Sequence, residues 1–249
     1  MQPIIEVRFA MVTNGYTSIV PVIGKKPVLD QWQKTENVTR KMLEDWSRNC
    51  PSANNTGILT KLVPTLDLDL LQEDAAIAAE NMVRERFDGL GSILRRIGRP
   101  PKRAILFRTK DPFKKLTTVF TATNGADPEK IEFLGDGQQV VAHGIHPDTQ
   151  AEYLWDNGGD PTTIAYEKLP LITVEQARQL QDDVVAMLAR DFGYVVGTPP
   201  KKTSTTRAKT ARKNPKRDRA WAEAALKAEC VNITNAMTGN RNTQLNLSA

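Results

Sequence analysis

The chain is poor in cysteine and histidine, with two of each. Cys50 and Cys230 stand far apart with no CxxC or mixed Cys/His cluster, which excludes a disulfide framework and a structural zinc site and fits a reducing, cytoplasmic setting. The opening residues, MQPIIEVRFAMVTNGY, carry an acid and a base within a short amphipathic run and lack the apolar stretch of a signal peptide. No apolar run approaches the length of a membrane span, so the expectation is a soluble chain with no membrane partner. Also missing are a GxxxxGK[ST] phosphate loop, a GxGxxG after a strand, a GxSxG elbow and an HExxH pair. Those absences remove P-loop ATPases, dinucleotide enzymes, serine hydrolases and zincins, and leave metal-assisted phosphoryl or nucleotidyl chemistry.

What is present suffices for a real core, since 249 residues allow one large domain or a domain with an appendage. The net charge is +5, but residues 198 to 217 (TPPKKTSTTRAKTARKNPKR) hold eight Lys/Arg and no acid, which leaves the remainder at −3. A Pro/Thr/Lys-rich stretch of this kind buries too little apolar surface to order itself, and it is either a solvated linker or an attractor of phosphate backbones. The expected organisation is a catalytic domain over 1–197, a basic flexible linker over 198–216 and a helical segment over 217–249. That last segment, Ala-rich and stopped near Gly239, reads as the truncated start of a C-terminal helical domain.

Hydrophobic spacing predicts helices over 3–13, 39–49, 73–87 and 173–192, the last with a capping box at Thr173-Val-Glu-Gln176. Strands are predicted in TSIVPVIG, NTGILT, VPTLDLDLL, AILFRT, LTTVFTAT, KIEFLG and QQVVAHG, with Gly135-Asp136-Gly137 as a tight turn between the last two. Strands and helices are mixed without βαβα alternation, which favours α+β over a doubly wound sheet.

The chemistry concentrates in TLDLD. Leu66, Leu68 and Leu70 take one face of that strand and Asp67 and Asp69 the other. Two carboxylates side by side raise one another's pKa unless a cation intervenes, and hard ions such as Mg²⁺ or Mn²⁺ take such oxygen ligands. An Asp-x-Asp alone also arises by chance on an exposed strand face, but here it is flanked by leucines in what reads as a central strand, where unpartnered acids are expensive. Glu132 in KIEFLGDG alternates with Ile131 and Phe133 and is either a third ligand or a surface glutamate. His143 and His146 follow in VVAHGIHPDT, where they are either turn residues or hydrogen-bond donors to phosphate or water. Arg103 and Arg108 bracket the strand AILFR, and a guanidinium fork there could hold a triphosphate tail, with Arg108 favoured for its place at the end of an apolar strand.

The order of these signals resembles the archaeo-eukaryotic primase superfamily, in particular the bifunctional primase/polymerase domains of phages, prophages and plasmids. The resemblance rests on G-Y-x-x-I-V-P-V-x-x-G-K-K-P with Trp32 following, on N-x-G-I-L-T and T-L-D-L-D, and on I-E-F-L-G-D-G-Q-Q-V-V-A-H-G-I-H-P-D-T with Y-L-W, and it spans roughly residues 5 to 156. It implies a primase-type fold with a strand-rich catalytic subdomain related to the RNA-recognition fold, followed by C-terminal helices. It implies that Asp67, Asp69 and Glu132 bind metal, and that a basic or histidine residue of a middle motif touches the nucleotide phosphates. The chain departs from the pattern there: the middle segment reads P-P-K-R-A-I-L-F-R-T and offers Arg103 and Arg108 where a histidine is usual.

The implied reaction is template-directed nucleotidyl transfer by a two-metal mechanism, using nucleoside triphosphates on a single-stranded DNA template in a bacterial cell or phage-infected host. Arg103, Arg108, His143 and His146 would bind the nucleotide, while Lys25, Lys26 and linker residues Lys201, Lys202, Arg207 and Lys209 would draw in the template. A replicative helicase would be joined in a longer product or supplied by another protein. Two rivals use the same features: a non-catalytic module that binds single-stranded DNA at replication start, and a metal-dependent nuclease.

Overall fold

The computed structural model describes residues 3–121, 128–156 and 158–197. Alternating apolar residues and turn glycines divide these residues into ten strands and four helices. The first part is α1 (Ile4–Thr13), β1 (Ile19–Ile23), β2 (Lys26–Pro27), α2 (Arg40–Asn49), β3 (Asn55–Leu59), β4 (Thr65–Asp69) and α3 (Glu73–Phe87). The second is β5 (Leu94–Ile97), β6 (Arg103–Leu106), β7 (Leu116–Val119), β8 (Lys130–Leu134), β9 (Gln139–His143), β10 (Leu154–Trp155) and α4 (Val174–Phe192). The class is α+β.

The helix ends follow local chemistry. Thr39 accepts a hydrogen bond from the Met42 amide to open α2, and Thr173 and Gln176 form the reciprocal capping box of α4. None of these helices is long and apolar enough to cross a membrane.

Two antiparallel sheets organise the body. One has the order β2-β1-β3-β9 and the other β10-β5-β6-β4-β8-β7, so β4 is central as its leucines predict. The predicted tight turn at Gly135-Asp136-Gly137 forms, closed by the Gln138 amide donating to the Gly135 carbonyl (3.1 Å), but the strands it joins do not pair, because β8 already has β4 and β7 on its two edges and β9 pairs with β3 in the other sheet. Gly135-Asp136-Gly137 instead carries the chain from sheet to sheet, docked by the Asp136 amide donating to the Phe113 carbonyl (2.8 Å) and the Thr60 hydroxyl to the Gly135 carbonyl (2.6 Å). Strand β5 was not foreseen, since two arginines in Leu-Arg-Arg-Ile mask its apolar alternation.

The six-stranded sheet has two different faces. Leu66, Leu68, Ile105, Ile131 and Phe133 point to α3 and α4 and form the larger core with Ala76, Val83, Leu180 and Val184. On the other face, Leu94, Leu106, Thr65 and Leu134 lie in one row across four strands, and its leucines pack with Val140 and Ala142 of β9 and with α1 and α2 residues in a second core. Two residues further along every strand, roughly 7 Å away, that same face opens into a cleft.

The described residues lie within one compact unit, Met1–Pro199. The expected linker over 198–216 and helical segment over 217–249 lie outside them, as do Lys201, Lys202, Arg207 and Lys209.

Candidate active site

Strand register assembles the sheet face on which the cleft lies. Trp155, Arg96, Ala104, Asp67, Glu132 and Thr117 are successive partners across β10, β5, β6, β4, β8 and β7, so their side chains share one face. Asp69 follows Asp67 on that face and is paired with Lys130 in register. The alternation of TLDLD thus delivers both aspartates to one side, and the pairing of β4 with β8 sets Glu132 directly opposite Asp67. The cleft beside this row holds about 270 Å³ and is lined by Asp67 and Arg96 of the row together with Asp69, Arg99, Lys102 and Lys25, while Glu132 is buried next to Asp67.

Charge in this cleft is unevenly satisfied. Lys102 meets Asp69 at 2.5 Å, while Lys115 and Lys130 meet Glu132 at 2.6 and 2.8 Å. Burial pushes the Glu132 carboxyl up, but the hydrogen bonds from Lys115 and Lys130 outweigh it and hold the group below the usual glutamate value. Asp67 has no such partner among the described residues. Burial raises its pKa, Asp69 and Glu132 raise it further, and Arg96 offsets only part of the rise.

This donor set, all carboxylate oxygens, suits a hard divalent ion, and Asp67 is the one of the three acids with no ion-pair partner among the described residues. Among the described residues no three acidic, histidine or cysteine side chains stand close enough together to hold a metal ion, and Asp69 and Glu132 are each paired with lysine. A bound cation would take over the neutralising role that these ammonium groups fill.

The other expected residues scatter. Arg103 borders the cleft, but its place opposite Leu68 puts it on the helix face, where its guanidinium donates to Glu80 (2.6 Å) and to the Pro101 carbonyl (3.1 Å). Arg108 lies beyond the end of β6, four residues and roughly 13 Å from Ala104, with its Nε donating to the Leu169 carbonyl at 2.8 Å. Neither arginine is brought to the acids.

His146 does line the cleft. Its Nδ1 accepts from the Asp148 and Thr149 amides (3.2 and 3.3 Å), which leaves Nε2 as the protonated nitrogen, and burial lowers its pKa. His143 faces a separate cavity of about 470 Å³ beside α1, with Nε2 3.9 Å from Asp160. Lys25 lines the cleft 3.5 Å from Asp148, and Lys26 is exposed on β2.

Three contributors escaped the sequence reading. Arg96 sits on the unforeseen strand β5, its guanidinium 4.6 Å over the Tyr153 ring and donating to the Val141 carbonyl at 2.6 Å. Asn55 is buried and fastens the segment that leads to His146: its amide donates to the Gly24 and Ile145 carbonyls and its oxygen accepts from the Ile145 amide, each at 2.8 Å. Gly98 allows the sheet to approach that segment, since a Cβ there would lie 2.5 Å from Tyr153 and 2.8 Å from His146. Asn55 opens the segment N-x-G-I-L-T without a role being legible in it, Gly98 is an isolated residue, and only the pattern L-R-R-I carried a signal for Arg96.

A family model described as "Bifunctional DNA primase/polymerase, N-terminal" matches residues 9–171, a span that includes every residue of the cleft. No curated protein matches the chain.

Proposed function

The chain belongs to the bifunctional DNA primase/polymerase family, and from that premise we propose that it joins nucleotides on a single-stranded DNA template in phage or plasmid replication, with the cleft as its active site. The observation that carries this reading is the row across the sheet, which sets Asp67 and Glu132 side by side with Arg96 two strands away on one face. Asp67, Asp69 and Glu132 would hold a pair of Mg²⁺ or Mn²⁺ ions, which when bound lower the pKa of a coordinated hydroxyl and neutralise charge on the reacting phosphate.

In the reaction a 3′-hydroxyl oxygen bonds to the α-phosphorus of the incoming nucleotide as the bond to pyrophosphate breaks, and the hydroxyl proton passes to solvent. The protein's part is placement. Its carboxylates stand on central strands locked by neighbours on both sides, so they cost little reorganisation. Arg99, Lys102 and the Nε2–H of His146 line the same cleft and favour the triphosphate, while Lys25, Lys26 and the basic residues Lys201, Lys202, Arg207 and Lys209 favour the template backbone. A helicase acting in the same replication complex would supply the unwound strand.

Replacing Asp67 and Asp69 together by Ala should abolish primer synthesis on an unprimed single-stranded template while the circular dichroism spectrum stays unchanged. Undiminished synthesis by the folded double variant overturns the reading. One observation favours a non-catalytic template-binding module instead, namely that Glu132 is already held by two lysines. Calorimetry separates the two: the enzyme binds a nucleoside triphosphate in the presence of Mn²⁺, and a pure template binder does not. Labelled DNA with Mn²⁺ and no nucleotides detects the nuclease alternative.

A further inference from the structure

We infer that Arg96 grips the phosphate tail of the incoming nucleotide, across the cleft that it and Asp67 both line; this rests on the cleft being the nucleotide site. Arg96 and Asp67 both line the cleft, and the one residue between them in the row is the small, fully buried Ala104. The two outer positions are separated by two strand spacings, roughly 10 Å. That gap suits a chain of phosphates reaching from the carboxylate side to a cation.

The cation at its far end is built for an anion. Lys25 and Lys102, which line the same cleft, are each paired with an aspartate, and Arg84, Arg95 and Arg103 are all paired with Glu80. Arg96 has no carboxylate within ion-pairing distance among the described residues, and its Nε is buried with no hydrogen-bond partner among them. A buried guanidinium with an unfilled donor is costly unless something else supplies the acceptor. One face of the group is fixed by the Tyr153 ring and one nitrogen by the Val141 carbonyl, so the fork is immobilised before any ligand arrives. Arg103 and Arg108, which the sequence suggested for this task, are both engaged elsewhere.

A purely structural role, tying β9 to β5 through the Val141 carbonyl, leaves the Nε without purpose and predicts a different result. Calorimetry with a deoxynucleoside triphosphate and with inorganic tripolyphosphate, each with and without Mn²⁺, compares the unaltered protein with Arg96→Ala and Arg96→Lys, alongside thermal unfolding of all three. Loss of charge-assisted hydrogen bonds should weaken binding of both ligands by about 10- to 100-fold in Arg96→Ala. Arg96→Lys, which keeps the charge but not the fork, should fall between, with an unfolding midpoint near that of the parent. Should Arg96→Ala fail to fold, Arg96→Lys decides the matter. Parent-like binding of tripolyphosphate by the folded variants overturns the assignment to Arg96 and leaves the cleft's role standing. Absence of any triphosphate binding by the unaltered protein overturns both.

Discussion

The six-stranded sheet carries a cluster of charge on each face, and the two are opposites in how they are satisfied. On the helix face Glu80 of α3 receives Arg103 at 2.6 Å, Arg84 at 2.8 Å and Arg95 at 3.3 Å, and Arg84 and Arg95 also reach Asp156. Every member has an ion-pair partner, Arg95 included, although its Nε, like that of Arg96, makes no hydrogen bond among the described residues. On the cleft face Asp67 has a raised pKa and no ion pair among the described residues, and Arg96 keeps a buried Nε without a partner. The same backbone thus carries a finished network on one side and an unfinished one on the other. Finished networks hold a fold together, whereas unfinished ones lower its stability and are retained where a ligand completes them.

The largest effect that tests this contrast comes from the finished side. Glu80→Ala leaves three guanidinium groups facing one another around a nearly buried position, and breaking a buried ion-pair network of this kind costs about 3–5 kcal/mol. Urea unfolding should show that loss. A change below about 1 kcal/mol would mean that water already screens the cluster and that the contrast between the faces is overstated.

On the unfinished side the same operation should have the opposite sign. Because the folded state raises the Asp67 pKa, ionised Asp67 destabilises the fold, and that penalty appears as pH rises from the ordinary aspartate value of 3.8 through the folded one. Asp67→Asn removes it, so the variant should unfold at higher urea than the parent at neutral pH, by less than Glu80→Ala loses, with the gap closing at low pH. Added Mn²⁺ should stabilise the parent and not the variant. A destabilised Asp67→Asn at neutral pH would place Asp67 among the structural charges.

How much of this was legible in the sequence follows from which information is local. The face shared by Asp67 and Asp69 is a matter of alternation along one strand, and the capping box of α4 is a matter of four neighbouring residues, so both were readable. The position of Glu132 opposite Asp67 requires the register between two strands more than sixty residues apart, which alternation does not contain. Arg103 illustrates the cost: its residue type fits a phosphate, but register turns Ala104 to the cleft and Arg103 to Glu80. Arg96 was hidden for a related reason, because two adjacent arginines point to opposite faces and read together as a polar loop. The two sheets were also not separable from local signals, since Gly135-Asp136-Gly137 has the composition of a hairpin turn and its role is fixed by Phe113, a residue distant in the chain.

His143 falls between the two kinds of cluster and gives the smallest effect. It is largely buried with its Nε2 lacking a hydrogen bond among the described residues, and burial lowers its pKa below 6.5 while Asp160 and Glu152 counteract only part of this. The unfolded chain therefore takes up this proton first on acidification. Stability from the neutral imidazole is complete above about pH 6.5 and declines as pH falls from there to the folded value, by at most about 1.4 kcal/mol per pH unit for one proton. His143→Gln should remove that share of the acid sensitivity, so that its unfolding free energy, whatever its value at pH 8, falls less steeply than the parent's between pH 6.5 and 5. Parallel profiles would mean that Asp160, 3.9 Å away, receives the imidazolium well enough to count as its partner. His143 would then join the finished networks, and the cavity beside α1 would hold no unsatisfied charge to match the one in the cleft.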